Sequence, residues 1–575
     1  MKKNVFLLGA VFAAGMLMTA CSSENDAIQE ETSLDSKFDA QGNAYINIAI
    51  SMPTTSGGTR ANGVFDDGTA DEYEVKNAIL VLFKGSNESD ATFNGAYALP
   101  SKRVRQTVSS NNQISDRLLY TQQINKGESD LEGNHIYAYV VINPNGKFVV
   151  DESTRGLTVK AADGDKAMTK NTTTFTDFKG YALDVVGNTT NGLLMTNPPM
   201  STAGGGSAAP SSPVIRYMPE LTANHIYNSI EEAYAGEKFV ELYVERAAAK
   251  IDLTVPTGSS TGLTTDDAVK YDPSGIKWEV QNYNTSYYIS RHVSDTYLGY
   301  TSIVLTTPFY RFAEQTAVDP TMDSKNYRIP WAEDVNYSSA APENVPTTGT
   351  QATLDNSPSS VVYLAENTVD ENSLKQGYTT RIVLAVPFNG GTSFYTSSLG
   401  GADEIFSVDA MKNKVKAYIS SQHGKTATEV TFTNAANGLA TVNTVTLSDA
   451  SDASAIVSDI NSHVQFSYYN NGMAYYKVLV KHFGDDETPL RPASEITGST
   501  YDDVYPTSNR AKNYLGRYSI VRNNWYNIEL QGIKHIGKPS VPEIPADTPD
   551  DEIDAYLKVR INILSWAKRT QQVTL

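Results

Sequence analysis

The sequence predicts an all-β protein with few short helices. Its 575 residues are rich in Thr, Ser, Asn, Gly and Tyr, with 34 tyrosines, and these residues favour strands, turns and exposed surfaces. Two segments near the ends of the chain, 44–52 and 556–566, alternate between apolar and polar residues, as half-buried strands do. Helical spacing is confined to three short candidates, at 229–235, 407–420 and 451–462.

The N-terminus has the pattern of a lipoprotein signal peptide. Two lysines precede an apolar stretch, 5–18, and small residues then lead to Cys21, the only cysteine of the chain. We therefore expect export, removal of residues 1–20 and attachment of lipid to the Cys21 thiol, which tethers the precursor to a membrane. A plain secretory signal with an incidental cysteine is the alternative. Residues 22–39 are polar and acidic and should form a solvated tether.

Composition and motifs argue against several classes of function. Charged residues make up 19% of the chain and the net charge is −19, which does not suit a nucleic-acid binder. The seven histidines are scattered, and the nucleophile, P-loop and zinc motifs are missing, so we predict no enzyme, cofactor or metal site. The acidic runs at 66–68, 266–267 and 485–487 should be solvated turns, although weak calcium binding stays open.

The chain between its two ends divides into two β regions. Residues 243–253 are a candidate junction, and the second region begins at Lys250. A Pro-rich acidic linker, 537–551, precedes the last strand and should be extended, without regular structure. The internal strands are predicted at 75–83, 135–142, 238–245, 276–282, 301–305, 361–364, 380–386, 475–483 and 525–533.

The first strand precedes a loop that a protease can reach. The apolar face of this strand consists of Ile46, Ile48, Ile50 and Met52. The loop, 53–63, is small and polar and contains Arg60, and proteases prefer such loops. A cut after Arg60 would release residues 22–60 with the strand, and would expose an apolar groove with unpaired backbone edges. An ordinary loop arginine is the alternative interpretation of Arg60.

The last strand has the length and alternation to fill such a groove in another copy. Its apolar residues are Leu557, Val559, Ile561 and Ile563, and Trp566 follows them. Four buried aliphatic side chains would contribute about 6–12 kcal/mol before ordering costs. Because donor and acceptor faces differ, the contact would be head-to-tail, and such contacts generate filaments when the rotation does not close a ring. Alternatively, this strand folds back on its own domain.

Several of these segments together resemble a known family. The segments are Arg60-Ala61 after the first strand, Val-Glu-Arg-Ala-Ala-Ala-Lys at 244–250, Val-Arg-Asn-Asn-Trp-Tyr-Asn-Ile at 521–528, and the tail 559–575. With them the chain resembles a Bacteroidales type V pilus subunit, and it is most similar to the stalk subunit of the short, minor fimbriae. The middle of the chain, 255–510, matches only loosely.

The resemblance implies two transthyretin-like β-sandwich domains in tandem with a C-terminal donor strand. It also implies a lipidated precursor at the outer membrane, which an Arg-specific protease cuts between Arg60 and Ala61. The donor strand would then enter the groove of the next subunit, in a fimbrium on the cell surface that supports adhesion. Its partners would be other copies and the anchor and tip subunits. The expected divisions are 1–20 signal peptide, 21–60 propeptide, 61–249 first sandwich, 250–536 second sandwich, 537–552 linker and 553–575 donor strand.

Two further interpretations stay open. The chain could be an anchor or a tip subunit, although an anchor should lack a working cleavage loop and a tip should lack the donor tail. This sequence has both, which favours a stalk role. Alternatively, it is a surface lipoprotein that never polymerises and binds glycans or host proteins through exposed Tyr and Trp side chains.

Overall fold

The computed structural model describes most of the chain between residues 34 and 565. Within it the protein is mostly β-sheet with short helices, which confirms the predicted all-β class. None of the helices described there has the length and apolarity needed to span a membrane. The described residues are 34–53, 69–100, 104–106, 114–127, 134–184, 189–258, 261–264, 268–302, 308–315, 317–318, 326–337, 339, 342–343, 353–449, 452–489, 493–496, 498, 500–551 and 557–565.

The regular elements of the described residues follow one another as short strands with few helices between them. Strands β1 to β17 are Asn43–Pro53, Ala78–Gly85, Thr92–Ala98, Val104–Gln106, Ile114–Asn125, His135–Ile142, Phe148–Asp151, Gly156–Ala161, Gly164–Ala167, Ala182–Asp184, Met195–Thr196, Met200–Ser201, Ile215–Arg216, Glu220–Leu221, Ile226–Tyr227, Val240–Tyr243 and Glu245–Arg246. Strands β18 to β32 are Ala249–Thr254, Thr261–Gly262, Lys270–Tyr271, Lys277–Gln281, Ser286–Tyr288, Tyr327–Arg328, Val361–Leu364, Arg381–Pro387, Phe394–Ser397, Ala427–Asn434, Leu439–Leu447, Phe466–Tyr469, Met473–Leu479, Asn524–Ile533 and Leu557–Ser565. Helices α1 to α7 are Ala70–Tyr73, Phe175–Lys179, Ile230–Ala235, Val408–His423, Ala453–His463, Tyr501–Val504 and Arg510–Tyr514.

The first half of the chain forms a sandwich of two sheets. One sheet has the order β15-β1-β5-β4, with β16 also pairing with β1, and the other has the order β17-β11-β6-β2-β3, with β14 on β6. Their facing side chains form one apolar cluster, because each strand turns alternate residues inward. The cluster includes Ile46, Ile48, Ile50, Leu80, Leu82, Ile136, Val140 and Leu242.

The second half forms another sandwich, whose sheets have the orders β24-β18-β31-β32 and β21-β25-β30. Its core includes Ile251, Leu253, Trp278, Ile382, Leu384, Tyr476, Tyr526 and Ile528. In the first of these sheets β18 runs parallel to β31, and β32 pairs antiparallel with the other side of β31. Among the described residues, β32 is therefore an edge strand of this sheet.

A smaller layer is built on the second sandwich from α4, α5 and the sheet β26-β29-β28-β27. Helix α4 starts where the Ser407 hydroxyl accepts a hydrogen bond from the backbone N–H of Ala410, and it ends at Gly424, whose φ is 63°. The helix turns Met411, Val415 and Ile419 toward the sheet. Sequence periodicity predicted both helices, but the long hairpin β27–β28 beside them was not predicted.

The predicted internal strands agree with the structure to within a few residues, with two differences at the boundaries. Of the strand predicted at 301–305, residues 303–305 lie outside the described residues. At the junction, β17 pairs in the first sandwich and β18 in the second. Strand β22, however, pairs with β10 of the first half, so a segment beyond Lys250 also packs against the first sandwich.

Candidate functional site

The first strand lies inside its sheet rather than at an edge. On one side β1 pairs antiparallel with β5 along its whole length, from Asn43 opposite Asn125 to Pro53 opposite Ile114. On the other side it pairs antiparallel with β15 and then parallel with β16, where Ile48 lies opposite Val240 and Ser51 opposite Tyr243. Removal of β1 would therefore leave a slot with unpaired backbone groups on both walls. We call this position the β1 slot.

The floor of the β1 slot is apolar. Ile46, Ile48 and Ile50 of the predicted removable strand are all 0% exposed and pack in the core of the first sandwich. Ala44, on the same face, is also 0% exposed. The backbone of Met52 continues the strand. The predicted alternation is thus present, and the inward face of β1 contributes directly to the core.

The outward face of β1 is buried as well, which periodicity alone did not indicate. Asn47 is 2% exposed, and its side-chain amide donates hydrogen bonds to the carbonyl oxygens of Ala233, at 2.6 Å, and Gly236, at 3.4 Å. The Asn47 side-chain oxygen accepts a hydrogen bond of 2.6 Å from the Thr121 hydroxyl on β5. Helix α3 and its C-terminal turn therefore cover this face. In the sequence, the signal for this burial was the presence of polar residues between the isoleucines of a buried strand.

A second polar contact holds the far end of β1. The Ser51 hydroxyl, which is fully buried, donates a hydrogen bond of 3.2 Å to the Glu241 carboxylate on β16. Glu241 also forms an ion pair with Arg117 of β5. Both strands that flank the slot are therefore joined by a charged pair across β1.

The predicted processing residues lie outside the described residues. Cys21, Arg60 and Ala61 are among them, so lipidation and cleavage stay predictions. The segment that follows the loop is described from Thr69 onward, and it is held firmly. Glu72 of α1 is 1% exposed.

Glu72 joins the start of the first sandwich to the domain junction. Its carboxylate lies 2.8 Å from the Lys250 ammonium and accepts a hydrogen bond of 2.6 Å from the Tyr363 hydroxyl. Burial acts to raise the pKa of Glu72, but the hydrogen bonds from Lys250 and Tyr363 outweigh it and hold that pKa below its ordinary value. Lys250 in turn lies 3.8 Å from the centroid of the Trp525 ring on β31. A cut at Arg60 would thus leave the following segment attached to both sandwiches.

The predicted donor strand is paired within the same chain. Strand β32 lies antiparallel to β31, with Trp525 opposite Leu564 and Ile533 opposite Leu557. The backbones of Val559, Ile561 and Ile563 belong to this strand, whereas Trp566 lies outside the described residues. Of the two interpretations of this strand, the structure of a single chain shows the one that folds back on its own domain.

The Pro-rich segment packs against the second sandwich and is not a free linker. Val541 is 1% exposed and packs on Val383 and Tyr475, which lie on the outer face of β25 and β30. The carbonyl oxygen of Pro542 accepts a hydrogen bond of 2.9 Å from Arg381. A Cβ atom at Gly377 would lie 2.7 Å from the Cα of Ala546, so the two backbones are in close contact. The segment has neither helix nor strand, and it covers an apolar face that would otherwise be exposed.

Two aspartates fix the end of this segment. The Asp551 carboxylate accepts hydrogen bonds from Arg517, at 2.6 Å, and from the Tyr518 hydroxyl, at 2.9 Å. Asp550 is 1% exposed and accepts a hydrogen bond from the Tyr505 hydroxyl. Burial, together with the neighbouring Asp551 charge, raises the pKa of Asp550 to about 7. Only residues 552–556 separate this clamp, made of Asp550 and Asp551, from β32.

A cavity of about 940 Å³ lies beside β16 in the first sandwich. Glu88, at its wall, accepts hydrogen bonds from the backbone N–H groups of Tyr217, at 2.7 Å, and Met218, at 3.0 Å, and burial raises its pKa to about 7. Both signs of charge and several aromatic rings line the cavity, so the lining favours neither anionic nor cationic ligands. The lining includes Glu88, Tyr137, Phe175, Lys179, Tyr217 and Tyr243.

The described residues contain no group of three His, Cys, Asp or Glu side chains that could hold a metal ion. His482 is buried and structural, since its ring nitrogens lie 2.8 Å from the Tyr526 hydroxyl and from the Pro330 carbonyl oxygen. Asp485 of the acidic run 485–487 pairs with Arg517 at 2.6 Å, so this part of the run is less solvated than predicted. The runs at 66–68 and 266–267 lie outside the described residues.

Comparison with known proteins found similar chains among solved structures and one matching family model. Among curated protein sequences, none matches this chain. Among solved structures, the chain is similar to a candidate cell adhesion protein from Parabacteroides distasonis, with 12% identity, coverage of 92% of this chain and 98% of that chain, and a TM-score of 0.33. It is also similar to the tip fimbrial protein Mfa3 from Porphyromonas gingivalis, with 11% identity, coverage of 90% and 100%, and a TM-score of 0.30.

The sequence match is more specific and falls on the region that carries the last strand. Residues 467–572 match the family model described as major fimbrial subunit protein type IV, fimbrillin, C-terminal. The matched region begins in β29 and contains β30, β31, the docked Pro-rich segment and β32. The C-terminal region of the chain is therefore similar to that of the major fimbrial subunits, which confirms the resemblance to a fimbrial subunit.

Proposed function

We propose that the protein is the structural stalk subunit of a type V fimbria on the cell surface. It is exported as a lipoprotein precursor with lipid on Cys21, and an Arg-specific protease cuts it after Arg60. The subunits then polymerise head-to-tail, because the C-terminal strand of one enters the β1 slot of the next. The observation that carries the proposal is that β1, which immediately precedes the loop with Arg60, is paired along both edges.

The β1 slot is a strong acceptor for a strand once β1 has left. An incoming strand would meet unpaired N–H and C=O groups on β5 and on β15 and β16, and would cover a floor of buried aliphatic side chains. An empty slot would expose that apolar core to water. Loss of β1 therefore creates both a backbone template and a hydrophobic driving force for a specific joint.

Strand β32 gains from moving into such a slot. On its own domain it is paired with β31 along one edge, whereas the slot offers a partner along both edges. The clamp at Asp550 and Asp551 keeps the preceding segment on the second sandwich, so the moving arm begins at residue 552. At about 3.3 Å per extended residue, Leu557 can lie up to about 20 Å from Asp551. The joint between subunits would therefore be short.

Three experiments test this proposal. Mass spectrometry of the sheared cell-surface fraction should find the protein starting at Ala61, whereas a lipid-modified start at Cys21 would favour an anchor or a surface-binding lipoprotein. Arg60→Ala should block maturation, while Arg216→Ala, at another exposed arginine, should not. Deletion of residues 557–575 should give processed monomers without filaments. Normal filaments from this deletion would contradict strand donation.

A further inference from the structure

The wall of the β1 slot has a polar site at one position. In the precursor this site is filled by Asn47, which accepts a hydrogen bond from the Thr121 hydroxyl on the β5 wall. It also donates hydrogen bonds to the carbonyl oxygens of Ala233 and Gly236, in the helix and turn that cover the slot. Ile46 and Ile48, its neighbours along β1, are both 0% exposed. The acceptor and donor groups belong to β5 and to the end of α3, so they stay in place when residues before Arg60 are removed.

This polar site restricts what can fill the slot. A strand with an apolar side chain at that position would remove the Asn47 partner of the partly buried Thr121 hydroxyl and Gly236 carbonyl oxygen. It would also remove one of the two hydrogen bonds that the buried Ala233 carbonyl oxygen accepts, the other being from the Gly236 N–H. A buried polar group that loses its partner costs the full free energy of desolvation. An amide side chain, which carries both a donor and an acceptor, can bond the hydroxyl of the wall and the carbonyl oxygens of the covering helix at once.

Strand β32 has one residue that meets this requirement. Among residues 557–565 a single side chain carries an amide, that of Asn562. It stands in the tripeptide Ile561-Asn562-Ile563, which repeats Ile46-Asn47-Ile48 of β1. Since this tripeptide is symmetric about its asparagine, it fits the site in the same register whichever way the inserted strand runs.

We propose that Asn562 is the residue that sets the register of subunit insertion, by taking the place of Asn47 opposite Thr121 in the next subunit. This inference rests on the proposed function. A slip of two residues would place Arg560 or Leu564 at the polar site. A slip of one residue would place an isoleucine there and turn Asn562 toward the apolar floor. A single buried asparagine selects one register in coiled coils for the same physical reason.

Cysteine crosslinking tests this register directly. Thr121 and Asn47 are opposite residues of the β1–β5 ladder, and opposite residues lie within the Cα separation that a disulfide spans. The mature chain would contain no native cysteine, because Cys21 is removed with the propeptide. Oxidised filaments of Thr121→Cys/Asn562→Cys should therefore give a covalent ladder in denaturing gels. A ladder from Thr121→Cys/Arg560→Cys or Thr121→Cys/Leu564→Cys in its place would overturn the proposed register.

A second measurement covers the case in which the cysteine variants assemble poorly. Asn562→Leu should raise the rate at which filaments dissociate by about tenfold or more, or abolish assembly, because the polar groups of the slot lose their partner. Lys558→Leu, which also replaces a polar residue at the same strand parity, should leave the rate within about threefold. Asn562→Leu filaments as durable as wild type would refute the role of Asn562 without affecting strand donation. Filaments from the 557–575 deletion would instead refute donation itself.

Discussion

Ile48→Ala should destabilise the precursor and leave the mature filament unchanged. Ile48 is 0% exposed in the middle of β1, between Tyr120 of β5 and Val240 of β16, and it packs in the core of the first sandwich. The change removes buried carbon atoms from a site that paired strands enclose on both sides, so the cavity cannot collapse easily. If maturation removes β1, it also removes the substituted residue, and the mature subunit has no such cavity.

The magnitude follows from this burial. Truncation of a fully buried Ile to Ala costs about 2–5 kcal/mol. For a domain of about 150–250 residues, 1 kcal/mol lowers Tm by about 2–4 °C. We therefore expect the Tm of the first sandwich in the precursor to fall by about 4–20 °C.

Calorimetry on purified precursor and on sheared filaments measures this difference. Ile136→Ala is the matched control, because Ile136 is 0% exposed in the same core but lies on β6, which maturation does not remove. The control should lower Tm in both forms, and Ile48→Ala in the precursor alone. A lower Tm in Ile48→Ala filaments would show that β1 remains in the mature subunit and would refute the reasoning.

Two further predictions concern buried carboxylates. Glu72→Gln should lower the unfolding free energy by about 3–5 kcal/mol in urea titrations, because it leaves the buried Lys250 ammonium without its charge partner. Since the pKa of Glu72 is held below its ordinary 4.5, this contribution is present above pH 4.5 and is lost as the pH falls, so the gap to wild type should close in acid. A gap that is equally wide at pH 3 would contradict the ion pair. Asp550 behaves oppositely: its folded pKa of about 7 exceeds the ordinary 3.8, so its stabilising contribution is complete below pH 3.8 and is lost as the pH rises to 7. Asp550→Asn should therefore slow proteolysis of the Pro-rich segment at pH 8, with a difference that shrinks toward pH 4, whereas Asp547→Asn, at an exposed carboxylate of the same segment, should show no such trend.

Local patterns were sufficient for much of the fold. Alternation predicted β1 and most internal strands, because a strand buries every second residue whatever its partners are. A Ser-x-x-Glu start predicted α3 and apolar residues at helical spacing predicted α4, since an N-cap and an apolar stripe are both encoded within a few residues. The hairpin β27–β28 was missed because its outward residues are polar and its inward ones are few.

Such local patterns could not predict contacts between distant parts of the chain. Asn47 and Ala233 are 186 residues apart, and the ion pair of Glu72 with Lys250 joins α1 to β18. Residues 537–551 dock because the outer face of β25 is apolar. The sequence of the docked segment does not indicate that this face exists. A proline-rich acidic segment has the composition of a free linker, but here the sandwich beneath it supplies the surface that orders it.

The order of amino acids was enough to establish the β class, the inward apolar face of β1, and the resemblance to a fimbrial subunit. The folded chain was needed to show that β1 is paired along both edges, that a polar site interrupts its outward face, and that β32 is paired along one edge on its own domain. The physical reason is that alternation specifies which side chains are buried, whereas backbone N–H and C=O groups are the same in every strand. Which strand meets which edge therefore depends on the arrangement of the whole sheet.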